Sequence, residues 1–453
     1  MDKLSETGIV DTVLKVAGAK EEAKLKRLGG TKKKRLLGIE KLDDANLAGR
    51  KESDKCTLIV TEGDSAKSLA DAGLSEIGRD YYGVFPLRGK FLNVRDANIK
   101  QITTNKEIQN LLQIIGLKIG TKYEDKKSLR YGCLMVMADQ DHDGSHIKGL
   151  IINFIHKFWP SLVKMNTFVK EFSTPIIKAR KGTQTLTFFT QQEYEQWKRS
   201  IGKKVKNWNI KYYKGLGTSD NEEAKEYFSQ LQKHTIVYRY EDEDDDKHID
   251  LAFSKTQADA RKDWLNTYDE NNYVDHSLSF ISYKDFVNKE LIGYSRANCI
   301  RAIPSICDGF KPGQRKILFA CFKRNLTQEI KVAQLSGYVA EKSAYHHGEQ
   351  SLASTIVGMA QNFVGSNNIN HLEPKGQFGT RSMGGKDAAS ARYIYTKLTA
   401  IAKCVFHKND KFLLNYLNEE GQSIEPEYYI PVIPMILVNG AEGIGTGWST
   451  SIP

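Results

Sequence analysis

The chain of 453 residues is 40% hydrophobic and 27% charged, with a formal net charge of +11. Such a length points to two to four domains rather than one, and the composition is that of an ordinary soluble globular protein. No apolar run approaches the ~18 residues that a membrane-spanning helix needs, and the basic balance favours a polyanionic partner.

Residues Met1 to Glu6 lack an apolar stretch, so no secretory signal is expected. Residues 13–36, rich in Ala, Lys, Glu and Leu, predict an exposed helix broken at Gly29-Gly30. An apolar strand is expected over Cys56 to Thr61, ending in Glu62-Gly63-Asp64-Ser65, with a helix over Ala66 to Ala72. A second apolar strand, Cys133 to Ala138, runs into an acidic cluster, and Ser145 to Trp159 reads as a helix. Strands each followed by a helix predict a parallel α/β sheet with its chemistry at the strand carboxyl ends. Strand-like sequence continues to Lys211-Tyr212-Tyr213, and Glu241 to Asp246 reads as a solvated acidic loop. Residues 252–292 are polar and helical in pattern. From 293 to about 410 the chain reads as mostly helical, with Pro312 opening one helix and Leu352, Ile356, Ala360 and Phe363 forming an apolar stripe. Met435 to Val438 reads as a buried strand. The six cysteines are scattered without a CxxC pair and read as reduced core thiols.

Asp139-Gln140-Asp141-His142-Asp143-Gly144 sets carboxylates at alternate positions after a strand. Alternate residues of an extended segment share a face, so Asp139, Asp141 and Asp143 can converge on a hard cation, which argues for Mg²⁺. An EF-hand does not fit, because Leu150 stands where that loop needs a glutamate. The competing structural reading is that an aspartate caps the following helix. Glu62 also stands at a strand end. Together Glu62 and the acidic cluster resemble the Toprim domain, which implies metal-dependent phosphodiester chemistry shared by topoisomerases, primases and some nucleases.

Further motifs narrow the resemblance. Pro86-Leu87-Arg88-Gly89-Lys90 with Asn93, Tyr213-Lys214-Gly215-Leu216-Gly217-Thr218 and Asp308-Gly309-Phe310-Lys311-Pro312-Gly313-Gln314-Arg315-Lys316 follow in order. Then come Tyr345-His346-His347-Gly348-Glu349, Gly376-Gln377-Phe378-Gly379-Thr380, Ala391-Arg392-Tyr393 and Asn439 to Gly445. From about Leu42 to Pro453 the chain resembles the eukaryotic type IIA DNA topoisomerases in motif and order.

That resemblance implies an ATP-hydrolysing enzyme, a nuclear homodimer acting on double-stranded DNA. Tyr393 matches the nucleophile, and Arg392 beside it would stabilise the charge of the pentacovalent phosphate. On residue type alone Tyr395 serves as well. His347 and Arg301 would lie near the scissile phosphate. The metal set would be Glu62, Asp139, Asp141 and Asp143, with room in each protomer for two Mg²⁺ ions, which Mn²⁺ or Ca²⁺ could replace. Lys90, Asn93, Arg261, Lys262, Lys311 and Arg315 take DNA-contact positions; without the resemblance each cation reads as a solvated surface charge. Gly443-Ile444-Gly445-Thr446-Gly447 lacks the third glycine of a dinucleotide fingerprint, since Trp448 stands there. The resemblance makes Ile444 a wedge between base pairs that bends the DNA, and an apolar residue between glycines suits that task.

The expected architecture is a Rossmann-like parallel sheet of the Toprim type, then a mostly helical winged-helix domain and the start of a tower domain. The corresponding boundaries are 1–50 for the end of a transducer and a connecting segment, 51–240 for Toprim, 241–292 for a helical linker, 293–430 for the winged-helix domain and 431–453 for the tower. The domain that binds ATP and the coiled-coil gate are expected outside these 453 residues. The alternatives, another Toprim enzyme or a non-catalytic DNA-binding scaffold, would lack the Arg392-Tyr393 context or one of Glu62, Asp139 and Tyr393.

Overall fold

Strand β1 (Thr57–Glu62) is buried on both faces, which is why it reads as a continuous apolar run rather than an alternating one. Leu58 and Val60 enter one core and Ile59 the other, because side chains alternate along a strand. Strands β2 (Tyr82–Leu87), β3 (Cys133–Met137) and β4 (Val169–Phe172) extend the same parallel sheet. In the computed structural model, residues 16, 19–20, 23–213, 215–275, 278–345, 348–419 and 422–453 are described. The chain divides into two units, Met1–Tyr294 and Ser295–Pro453.

In the first unit the sheet order is β2-β1-β3-β4-β8-β9, with β8 (Thr235–Arg239) antiparallel to β4 and β9 (Phe280–Ser282) parallel to β8. A separate three-stranded sheet is made by β5 (Ile177–Lys181), β6 (Gln184–Phe188) and β7 (Asn209–Tyr212). Helix α1 (Gly63–Ile77) and helix α3 (Asn221–Ser229) cover the face carrying Ile59, Met135 and Met137. They meet closely: a Cβ on Gly73 would lie 2.1 Å from the Phe228 ring. Helix α2 (His142–Phe158) covers the other face with Ile147, Leu150, Ile151 and Phe154. Each such side chain contributes about 1.5–3 kcal/mol by leaving water.

Three sequence expectations change here. The helix near the N-terminus is seen through Arg27, but 31–36 is irregular and Gly29 instead bridges to Lys118. The acidic stretch is not a solvated loop. It opens helix α4 (Glu243–Phe253), where Asp242 caps the end and carboxylates suit the helix dipole. Asp245 is buried, accepting from the backbone N–H of Glu241 and of Lys284. The 241–292 segment does hold α4 and α5 (Ala258–Asn266), yet β9 is the last strand of the main sheet and Tyr283, Phe286, Val287 and Leu291 join its core. Its apolar residues at helical spacing bind it into the first unit.

The second unit packs α7 (Pro312–Lys323), α8 (Val332–Ser343) and α9 (Glu349–Ala360) around Ile317, Leu318, Leu335, Val339, Leu352 and Ile356. Short antiparallel pairs flank them: β10 (Ile330–Lys331) with β11 (Tyr395–Thr396), and β12 (Tyr416–Glu419) with β13 (Gln422–Pro426). Met435–Asn439 is a short helix, α10, not the expected strand. The carbonyl of Pro434 accepts from the backbone N–H of Leu437 and of Val438, closing a helical turn that a four-residue apolar run cannot distinguish from a strand. A strand pair follows, β14 (Ala441–Ile444) with β15 (Ser449–Ile452). Of the six cysteines only Cys56, Cys133 and Cys321 are buried, while Cys307 and Cys404 are exposed.

His371 is 2% exposed, in ring contact with Phe310 and Phe406, and its Nε2 has no hydrogen-bond partner among the described residues. Burial pushes its pKa down to about 4. The folded chain keeps the ring neutral while the unfolded chain takes a proton below about 6.5. Stability is therefore fully present above pH ~6.5 and lost as pH falls toward ~4. About 2 kcal/mol should go between pH ~7.5 and ~5. Urea unfolding at both pH values checks this, and His371→Phe should lose the corresponding slope. An unchanged slope would place the acid sensitivity elsewhere.

Candidate active site

Glu62 and Asp139 leave the carboxyl ends of adjacent parallel strands, because the register pairs Thr61 with Met137. The backbone N–H of Asp139 donates to Glu62 Oε2 at 3.3 Å. Burial, and then the Asp139 carboxylate, push Glu62 up to about 7. Burial also raises Asp139, against the N–H of Leu216, which donates to Asp139 Oδ1 at 2.7 Å. The backbone presses close on this carboxylate: a Cβ on Gly215 would stand 2.6 Å from Asp139 Oδ2, and Gly215 has φ of +156°. Gly144 is equally constrained, since a Cβ there would lie 1.9 Å from the Asp139 carbonyl oxygen.

The cluster is not the one-sided extended array expected. Asp141 is the N-cap of α2, accepting from Gly144 N–H at 2.8 Å, and Asp143 lies inside the first helical turn. Asp143 pairs with Lys90 Nζ at 2.7 Å. The capping reading thus holds for Asp141, and Lys90 is engaged in part by Asp143. Among the described residues no three acidic, histidine or cysteine side chains converge on a single ion position. Glu62 and Asp139 alone still suit a hard divalent cation. Their oxygens are hard, their mutual repulsion is offset only in part by the backbone N–H of Asp139 and of Leu216, and water and phosphate oxygens commonly complete such a shell.

In the second unit, Tyr393 follows a braced loop. Gln361 Nε2 donates to the carbonyls of Phe378 and Gly385, and the backbone N–H of Ala389 donates to the carbonyl of Gln377. Ile394 is buried, and Gly376 packs on its side chain. Between them Tyr393 is 73% exposed, against 37% for Tyr395. Tyr395 is held in β11 opposite Lys331 and bonds to the Lys375 backbone in both directions. Arg392 is exposed beside Tyr393.

Arg301 and Lys311 line one cleft of about 990 Å³ with Tyr345 and with Ala441 and Glu442. His347 lies outside the described residues. Ile444 ends β14 and is 83% exposed. Arg315 corrects the expectation of a DNA contact. It is 5% exposed, with Nε and Nη2 donating to Asp308 Oδ2 and Oδ1 at 2.8 and 3.0 Å, and Nη2 also to the Phe310 carbonyl. Its donors are spent inside the fold. Asn93 is largely spent as well, donating to the Phe253 carbonyl and accepting from Arg95 N–H and Asn153 Nδ2. Arg261 ties α4 to α5 through the carbonyls of Leu251 and Ser254, and Lys262 pairs with Asp259 at 2.7 Å.

Three consecutive family models match the chain: the Toprim domain over residues 57–173, the C-terminal associated domain of TOPRIM over 172–299, and the A subunit of DNA gyrase/topoisomerase IV over 301–453. DNA topoisomerase 2 of Arabidopsis thaliana is 60% identical over 100% of this chain and 31% of its own length. The chain belongs to the type IIA DNA topoisomerase family. A mitochondrial DNA topoisomerase 2 of Dictyostelium discoideum is 62% identical over 92% of this chain and 33% of its own. A crystal structure of the Plasmodium falciparum topoisomerase II DNA-binding, cleavage and re-ligation domain superposes with a TM-score of 0.79. It is 61% identical and covers 93% of this chain and 57% of that one. The chain therefore spans about a third of the length of the curated topoisomerases it matches.

One part of this topoisomerase site was not assigned a task from sequence. The Gly215-Leu216 turn holds Asp139 from a point 77 residues downstream. The only trace in the sequence is the glycine pair Gly215 and Gly217, which marks a turn without saying what it presses against.

Proposed function

We propose that this chain cleaves and rejoins DNA, with Tyr393 as the nucleophile. The reading rests on Tyr393 being exposed beside Arg392 at the end of a braced loop. The Tyr393 oxygen attacks a backbone phosphorus as its proton passes to solvent, the bond from phosphorus to the 3′ oxygen breaks, and that oxygen takes up a proton in turn. The products are a 5′ phosphotyrosyl link and a free 3′ hydroxyl. Attack by that hydroxyl reverses the step, so rejoining conserves the bond and needs no ATP. Arg392 places a fixed positive charge where the phosphate gains negative charge. Glu62 and Asp139 would hold Mg²⁺, which would supply positive charge to offset the negative charge developing on the leaving 3′ oxygen. Trapping the covalent DNA adduct and mapping it by digestion tests the assignment.

The whole protein, by family, is proposed to act as a homodimer on double-stranded DNA, using ATP bound outside these residues to pass a second duplex. The nucleus is the proposed compartment, though one relative carries a mitochondrial name.

Ile444 is proposed as the wedge that bends the duplex. Separating a base step costs a few kcal/mol, and the inserted side chain offsets part of it. Ile444→Ala is expected to reduce the bend seen by fluorescence energy transfer between duplex ends. A bend of unchanged size would remove Ile444 from DNA recognition.

A further inference from the structure

Ile444 stands out between two glycines that lie against a helix. A Cβ on Gly443 would fall 2.1 Å from the Ala302 carbonyl oxygen, and one on Gly445 would fall 3.0 Å from both Cα and Sγ of Cys299. Both partners belong to helix α6 (Ile292–Ala302). The period-two alternation of a strand turns residues 443 and 445 onto the helix and residue 444 away from it. The backbone N–H of Gly445 donates to the Trp448 carbonyl at 2.8 Å, closing the turn.

One side chain fastens that turn. Cys299 Sγ donates to the Thr446 carbonyl at 3.2 Å and accepts from the Thr446 N–H, also at 3.2 Å. A single thiol thus engages both backbone polar atoms of one residue. Thr446 Oγ1 adds a contact to Asn298 Oδ1 at 3.3 Å. Partial burial raises the thiol pKa, which keeps the donated proton in place near neutral pH.

We propose that Cys299 is a positioning residue for DNA bending: its thiol locks the hairpin turn to the helix and so fixes Ile444 as a rigid wedge. The proposal rests on the wedge reading of Ile444. A wedge unstacks a base step only if its support yields less than the DNA does. On a loosened hairpin the isoleucine would be pushed aside, and the duplex would stay straighter.

The test uses the full-length protein with Cys299→Ala, Cys299→Val, Cys299→Ser, Ile444→Ala and the double variant Cys299→Ala/Ile444→Ala. The bent fraction is read by energy transfer, and folding by thermal melting. Cys299→Ala should lower the bent fraction about fivefold, the worth of one net hydrogen bond. Cys299→Ser, which keeps a donor and an acceptor, should recover most of it. A duplex already softened by a mismatch at the insertion step should restore bending to Cys299→Ala, because less work falls on the wedge. The double variant should bend no less than Ile444→Ala alone, since Cys299 acts through Ile444. If Cys299→Ala does not fold, Cys299→Val, which keeps volume but neither bond, is read in its place. Normal bending by the folded Cys299 variant, with bending lost in Ile444→Ala, overturns the anchor and leaves the wedge standing. Additive losses in the double variant overturn it as well. Normal bending in Ile444→Ala overturns the wedge itself.

Discussion

Tyr393→Phe is expected to leave no covalent DNA adduct above background, while Tyr395→Phe keeps it. Phenylalanine preserves the ring and removes only the attacking oxygen, so DNA binding should be unchanged. Tyr395 is held by strand pairing on one side and by Lys375 on the other, and is half as exposed as Tyr393. If the protein works as the proposed homodimer, with the tyrosine of one protomer meeting the metal site of its partner, a heterodimer of two variants tests the arrangement. A heterodimer with Tyr393→Phe in one protomer and Asp139→Ala in its partner carries both lesions in one composite site and none in the other. It should nick one strand. Cutting of neither strand would mean that each protomer works with its own metal. An adduct that survives in the Tyr393→Phe homodimer, mapped to another residue, would overturn the nucleophile assignment.

Glu62→Ala and Asp139→Ala are each expected to lower metal-dependent cleavage by about a thousandfold or more. Several kcal/mol of charge stabilisation at the leaving oxygen go with the ion. Affinity for DNA should fall little, because it comes from phosphate contacts elsewhere and depends on salt. The two positions are not equivalent electrostatically. Glu62 is raised to about 7 by burial and then by Asp139, whereas Asp139 keeps the Leu216 N–H. Asp139→Asn should therefore ease the ionisation of Glu62 while weakening the metal site. Cleavage at the normal rate in either alanine variant, across a Mg²⁺ titration, would remove the pair from the chemistry.

Much of this was legible in the chain. The apolar runs at β1 and β3, each followed by a helix, placed Glu62 and Asp139 at strand ends, because burial on both faces leaves an unmistakable pattern. The geometry of the acidic cluster was not legible. Alternate residues share a face only in an extended chain, but the helix begins at His142 and Asp143 turns with it. Arg315 misled for a different reason. Its partner Asp308 stands seven residues earlier, and nothing in the spacing says that the pair is buried. Met435 to Val438 shows the limit of short apolar runs, where strand and helix share one pattern. The Leu216 contact to Asp139 is tertiary and leaves no periodic trace.

Asp308 has a reach that concerns the order of synthesis. Its carboxylate accepts from Arg315, from the Phe310 N–H and from the Tyr429 N–H, the last lying 121 residues downstream. A chain emerging from the ribosome can form the Arg315 pair as soon as helix α7 appears. It cannot complete the carboxylate's set of donors until Tyr429 has also emerged. Until then a charged group meant for the interior is one donor short, and such a group is costly to bury. The second unit is thus built to close late: its interior is sealed from the far end of its own sequence, and a chain interrupted before Tyr429 keeps an open seam at Asp308.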